Sequence, residues 1–127
     1  MLFAKRVFQA AGIYGAVVIL LGYVAYLLGF GDEASVVVTN RPEFVHGFFL
    51  VTFAWQIAFL IIATDPVRYR LLMLAAMIEK FPFTLAVLLL YAQGETTAMF
   101  LTLGLIDGLL GVLFGVAYVM TDDSTSD

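Results

Sequence analysis

Glu79-Lys80-Phe81-Pro82 puts a carboxylate, an ammonium and a helix-breaking ring within four residues, inside a long apolar run. A second carboxylate, Asp107, lies in the middle of the next apolar run. Such groups can hold a proton, bind a cation or pair with one another. In hydrocarbon a central Asp or Lys costs about 2.5–3.5 kcal/mol. Three of them total roughly 8–10 kcal/mol if nothing relieves them. One Lys80–carboxylate pair offsets part of this, and one carboxyl is left over. That carboxyl either stays protonated or faces water or a bound cation.

Counting 1.5 Å per residue from the helix ends places Glu79, Lys80 and Asp107 roughly 15 Å deep, near a common midplane. Gln56 and Trp55 fall at the same level, and Tyr14 lies about one turn away. Trp is normally an interfacial anchor. At mid-depth its N–H needs an acceptor, and the carboxylates are candidates. Pro82 frees the carbonyl of Ile78 at this height. The candidate ligand- or proton-binding set is therefore Glu79, Lys80, Asp107, Gln56 and Trp55. The competing reading is that the same residues staple helices together and do no chemistry.

Glu43 and His46 form a Glu-x-x-His pair, the spacing used twice in di-iron bundles. Here it occurs once, and only Asp32, Glu33 and Glu95 are available to complete a site at that level. A capping Glu43 and an interfacial His46 are the favoured reading, and no metal site is expected. The chain has no cysteine, which removes thiol redox, iron–sulfur and Cys–zinc chemistry. No phosphate loop, Ser-His-Asp set or nucleophile elbow is present, so no motif implies a cofactor or a catalytic residue.

The elements that must position these residues are legible from composition. Of 127 residues, 63% are hydrophobic and 13% charged, against about 45–50% and about 25% in soluble domains. Four apolar runs are expected to be transmembrane helices, at about 7–30, 44–63, 66–92 and 96–120, each near the roughly 20 residues that span a bilayer. They show no dyad alternation of the barrel kind. The expected fold is all-α: an integral membrane four-helix bundle, up-down-up-down, as a single domain over residues 1–121. Residues 122–127 form an acidic tail expected to be disordered. The uncharged Val7–Gly31 stretch exceeds a signal-peptide core, so it is taken as a spanning helix.

Lys5, Arg6, Arg68 and Arg70 fall on one side and Arg41 on the other, which predicts cytoplasmic N- and C-termini. Tyr23, Tyr26, Phe30 and Tyr91 would form an aromatic belt near the outer ends. Asn40-Arg41-Pro42-Glu43 suits a capping box with Asn40 as the cap. Val36-Val37-Val38 suits a short extended piece. Asp65-Pro66 suits an N-cap followed by proline at the first helical position. Gly94 suits the end of the third helix, and Glu95 the start of the fourth.

Gly104, Gly108, Gly111 and Gly115 lie at offsets of 4, 7 and 11, on one helix face. Gly15, Gly22 and Gly29 recur every seven residues in the first run, with Gly12 beside them. Such faces let backbones approach closely, and contact between the first and fourth helices is the natural expectation. A homodimer through either face competes with it. The expected partners are membrane lipids and either a second copy or the other subunits of a membrane complex. The net charge of −4 with no basic stripe excludes nucleic acid.

The length, the Ala63-Thr64-Asp65-Pro66-Val67-Arg68 connection, the Glu79-Lys80 pair and Asp107 among its glycines together resemble the small four-helix bacterial membrane proteins called DoxX-like and neighbouring families of unknown function. The resemblance implies a bacterial or archaeal cytoplasmic membrane. Because some DoxX-like proteins are linked to quinone or sulfur oxidation, it also allows an accessory subunit of a quinone-linked enzyme. It carries no functional residue over. Small multidrug transporters need a carboxylate in the first helix, fluoride channels a TTFSTF-type signature, and vitamin K-type reductases cysteines; all three are missing. The function expected is non-catalytic, in packing, assembly or the binding of a small ligand or lipid. The alternative is proton- or ion-coupled transport through Glu79 or Asp107.

Overall fold

The computed structural model describes residues 2–29 and 41–121. Phe30, Asp32, Glu33, Val36–Val38, Asn40 and the acidic tail lie outside these residues. Four helices are present: α1 (Leu2–Leu27), α2 (Pro42–Thr64), α3 (Leu72–Ala92) and α4 (Ala98–Met120). Among the described residues there is no strand. Each helix is long and apolar enough to cross a membrane.

The helix ends differ from expectation in instructive ways. α1 begins at Leu2, so Lys5 and Arg6 sit within its first turns and not before it. The uncharged run marks the hydrocarbon, whereas the backbone hydrogen bonds continue into the interface. α3 begins at Leu72, not at Pro66. Asp65 ends α2, its N–H bonding to the Ile62 carbonyl, and it also acts as the expected N-cap of the following turns, its carboxylate accepting from the Arg68 N–H at 3.2 Å. The chain then winds through tight i→i+3 turns, including Leu72 N–H to Tyr69 O at 2.9 Å and Met73 N–H to Arg70 O at 3.0 Å. α2 has Arg41 at its N-cap with no side-chain capping bond, and Pro42 opens the helix. Glu43 is therefore one position short of the capping-box site. It pairs with Arg41 at 3.6 Å on the exposed surface.

The α3–α4 connection follows the αL rule. Gly94 has φ +74, and its N–H bonds to Tyr91 O at 3.1 Å while Glu95 N–H reaches Leu90 O at 2.8 Å. This is the paired 5→2 and 6→1 pattern of a Schellman motif. Thr97 caps α4: its hydroxyl accepts from the Phe100 N–H at 3.4 Å.

The glycine faces meet different partners from those expected. A Cβ on Gly104, Gly108, Gly111 or Gly115 would meet Val87, Thr84, Phe81 or Met77, all on α3. On α1, Gly12 and Gly15 face Leu60 and Gln56, and Gly22 faces Phe49, all on α2. The expected contact between α1 and α4 is therefore not made by these glycines. Each glycine stripe instead lies inside a sequential hairpin, α1 on α2 and α3 on α4. A stripe of small residues shows that two backbones come close, but not which two.

α1 and α4 meet through aromatic packing. Phe8 stacks on Phe114 with centroids 4.2 Å apart, and Phe59 of α2 sits edge-on to Phe114 at 5.0 Å and to Phe8 at 6.1 Å. Ala4, Ala11, Ile62, Met73, Ala76 and Ala117 close around them. This shared core joins the starts of α1 and α3 to the ends of α2 and α4. Of the six Lys and Arg, Lys5, Arg6, Arg68 and Arg70 are gathered at this end. Arg70 secures it: its Nε donates to the Tyr118 carbonyl at 3.1 Å, and its guanidinium lies 3.9 Å from the Tyr118 ring centroid.

Candidate functional site

Lys80 is the centre of the polar site. α3 turns it toward α4, on the stripe it shares with Met73, Ala76 and Val87, all buried. The residue is 3% exposed. Its ammonium donates to Asp107 Oδ1 of α4 at 3.1 Å and lies 3.4 Å from Glu79 Oε2. Glu79 and Lys80 are about 100° apart around the helix, so only the long lysine stem lets them meet. The 3.4 Å contact is an ion pair without hydrogen-bond geometry, and Glu79 Oε2 is buried with no hydrogen-bond partner. Asp107 thus holds the directional bond, and Glu79 supplies charge alone. The ammonium also lies 5.3 Å from the Phe59 ring centroid on α2. A cation over a ring gains about 0.5–2 kcal/mol, depending on how far it is desolvated. Lys80 therefore reaches three helices.

One turn along α3, Thr84 makes a second tie. Its hydroxyl lies 2.8 Å from the Gly104 carbonyl and 3.3 Å from the Lys80 carbonyl, and its methyl sits 3.0 Å from where a Gly108 Cβ would be. Thr84 shares the Lys80 stripe in the sequence, but nothing there assigns it an interhelical bond. The signal was available: it is the one hydroxyl in α3 outside the terminal tyrosine, four residues from the buried lysine. Phe59 was missed because an apolar residue carries no mark of lying beneath a cation.

Gln56 is not part of this cluster, although it lies at the expected depth and is 1% exposed. Its Nε2 donates to the Thr52 carbonyl at 2.9 Å, and its Oε1 has no hydrogen-bond partner. The carboxamide oxygen instead presses on Gly15 of α1, where a Cβ would otherwise stand. Trp55 does not bond to either carboxylate. It is half-buried, and its ring lies 6.2 Å from Phe59.

The Glu43–His46 pair is divided between two surroundings. Glu43 faces Arg41, whereas His46 Nδ1 is 2.6 Å from the Tyr23 hydroxyl. The imidazole also meets the edges of Tyr23 and Tyr26, with centroids 5.5 and 5.7 Å away. Among the described residues no group of three or more His, Cys, Asp or Glu is placed to hold a metal ion.

The chemistry open to the Lys80 cluster follows from its charges. Two carboxylates and one ammonium leave one negative charge in a buried site, or one bound proton. The arrangement can tie α3 to α4 electrostatically, and it can hold a single proton. Two open depressions of the surface lie elsewhere, one lined by Leu74, Met77, Ile78, Phe81 and Pro82 and one between α1 and α4. No family model, curated protein or solved structure matches the chain.

Proposed function

We propose that this is a non-catalytic multi-pass protein of a bacterial or archaeal cytoplasmic membrane whose charged cluster holds its helices in register. The proposed topology is up-down-up-down with cytoplasmic termini. It is supported by the core that joins the starts of α1 and α3 to the ends of α2 and α4, and by the basic residues gathered at that end. The protein acts as a packing or assembly element, joined to a second copy of itself or to other membrane subunits.

The observation that carries this reading is the coordination of Lys80. A buried ammonium 3.1 Å from Asp107 and 3.4 Å from Glu79, also facing Phe59, has its charge satisfied from three sides. Removing one partner of a buried ion pair costs about 3–5 kcal/mol, because an uncompensated charge stays behind. The test is thermal unfolding in detergent of Lys80→Met, Glu79→Gln and Asp107→Asn. A packing role requires that Lys80→Met and Asp107→Asn lose stability or oligomeric state.

One observation favours a second reading, proton-coupled transport. The cluster carries one more acid than base, and Glu79 Oε2 has no hydrogen bond. A proton held there would be exchangeable. In proteoliposomes, Glu79→Gln and Asp107→Asn would then abolish coupled uptake while leaving the melting temperature unchanged. Loss of stability without any uptake in the parent protein decides for packing.

A further inference from the structure

We propose that the groove between the first turns of α1 and the second half of α4 is a site for an anionic phospholipid, with Arg6 binding the phosphate and the groove taking an acyl chain. The proposal does not depend on the role of Lys80. The groove is open to the surface, offers about 450 Å³, and is lined on α1 by Leu2, Phe3, Arg6, Val7 and Ala10 and on α4 by Leu110 and Leu113. Arg6 is its one charged wall.

Arg6 and Ala10 stand one turn apart on the same helix face. Helical side chains lean toward the N-terminus, so the guanidinium rises toward the polar end while its stem lies along the apolar wall. Ala10 leaves the space beneath it open. The result is a cation above and a hydrocarbon slot below, the two halves of a phospholipid.

The charge at the mouth of the groove is uncommitted. Arg70 is bonded to the Tyr118 carbonyl and stacked on its ring, and Arg68 lies 5.5 Å from the Tyr69 ring centroid. Arg6 has no ion pair or hydrogen bond among the described residues. Its planar fork matches a phosphate in a bidentate way. Lys5 beside it is also exposed and adds to the preference for an anionic headgroup.

The test uses the full-length protein in detergent, titrated with phosphatidylglycerol or phosphatidylcholine and read by native mass spectrometry. The wild type retains phosphatidylglycerol preferentially. Arg6→Gln weakens phosphatidylglycerol binding about fivefold and removes the preference, the factor expected for one basic residue at a headgroup. Arg6→Lys keeps part of the preference. Ala10→Phe, at an exposed position outside the core, fills the slot and lowers retention of both lipids. Melting curves check that all three variants stay folded. The proposal is overturned if the wild type shows no headgroup preference, if Arg6→Gln keeps it, or if Ala10→Phe retains both lipids as before.

Discussion

The Gln56 carboxamide oxygen of α2 occupies the position that a Cβ would take on Gly15 of α1. Two helices are thereby keyed at one point, with the absent side chain of one filled by the amide of the other. The amide gains little from hydrogen bonding on that side, since Oε1 has no partner. Contact with a glycine Cα–H is a second-order attraction of about 0.5–1 kcal/mol. Shape therefore dominates the pairing.

Gly15→Ala is predicted to drive the Gln56 side chain out of its place and to cost about 1–3 kcal/mol, the usual range for overpacking. Gly15→Ala combined with Gln56→Ala should recover most of that loss, so the two substitutions couple favourably. Gly47→Ala is the matched control, because a Cβ there meets nothing within 4 Å. Its removal of a helical glycine should leave stability unchanged or raise it by up to about 1 kcal/mol. Unfolding of five proteins in mixed micelles, the parent, Gly15→Ala, Gln56→Ala, their double variant and Gly47→Ala, measures all of this. A Gly15→Ala protein as stable as the parent would show that the amide swings aside freely.

Lys80→Met is predicted to lose about 3–5 kcal/mol, because Glu79 and Asp107 then face each other without a counter-charge. The triple variant Lys80→Met, Glu79→Gln, Asp107→Asn should lose less than Lys80→Met alone. The sign of that difference separates the worth of the ion pair from the penalty of stranding its acids. Equal losses in the two proteins would mean that lysine packing against Phe59, not charge, is what matters.

Thr84→Val should cost far less. The Thr84–Gly104 bond is short, at 2.8 Å, yet interhelical hydrogen bonds in membranes average about 0.6 kcal/mol and reach about 1.7 at most. Valine keeps a branched side chain against Gly108, so the packing survives. A loss above about 2 kcal/mol in the same unfolding assay would mean that Thr84 also sets the geometry of the neighbouring Lys80–Asp107 bond.

The four helices were legible because apolar length alone decides whether a segment can cross a bilayer. Depth was legible too: counting residues puts Lys80 and Asp107 at one level, and they meet at 3.1 Å. Facing was harder to read. α2 is apolar around most of its circumference, so nothing in its pattern says that Gln56 turns to α1 and Phe59 toward Lys80. Asp65-Pro66 was half legible. Asp65 caps the turns that follow it, through the Arg68 N–H, but it also closes α2 on the Ile62 carbonyl, and the regular helix begins only at Leu72. The glycine stripes carried closeness without identity: α1 and α4 do meet, but through Phe8 and Phe114, while the α4 glycines face α3.

The α4 glycines provide a graded test of that pairing. A Cβ on Gly111 would come within 2.9 Å of the Phe81 ring, and one on Gly104 within 3.0 Å of the Val87 Cβ. Val87 is stiff at χ1 and buried, so it cannot retreat. A Cβ on Gly115 would meet only the Met77 sulfur at 3.4 Å, an ordinary contact with an adaptable side chain. Gly104→Ala and Gly111→Ala are therefore predicted to lose about 1–3 kcal/mol each, and Gly115→Ala to lose nothing measurable. If the glycine face served instead to join two copies of the chain, all three substitutions would shift the oligomer equilibrium and leave the isolated chain's unfolding midpoint alone. Measuring the unfolding midpoint and the mass in detergent for the same three variants separates the two outcomes, because only packing on α3 produces an order set by Phe81, Val87 and Met77.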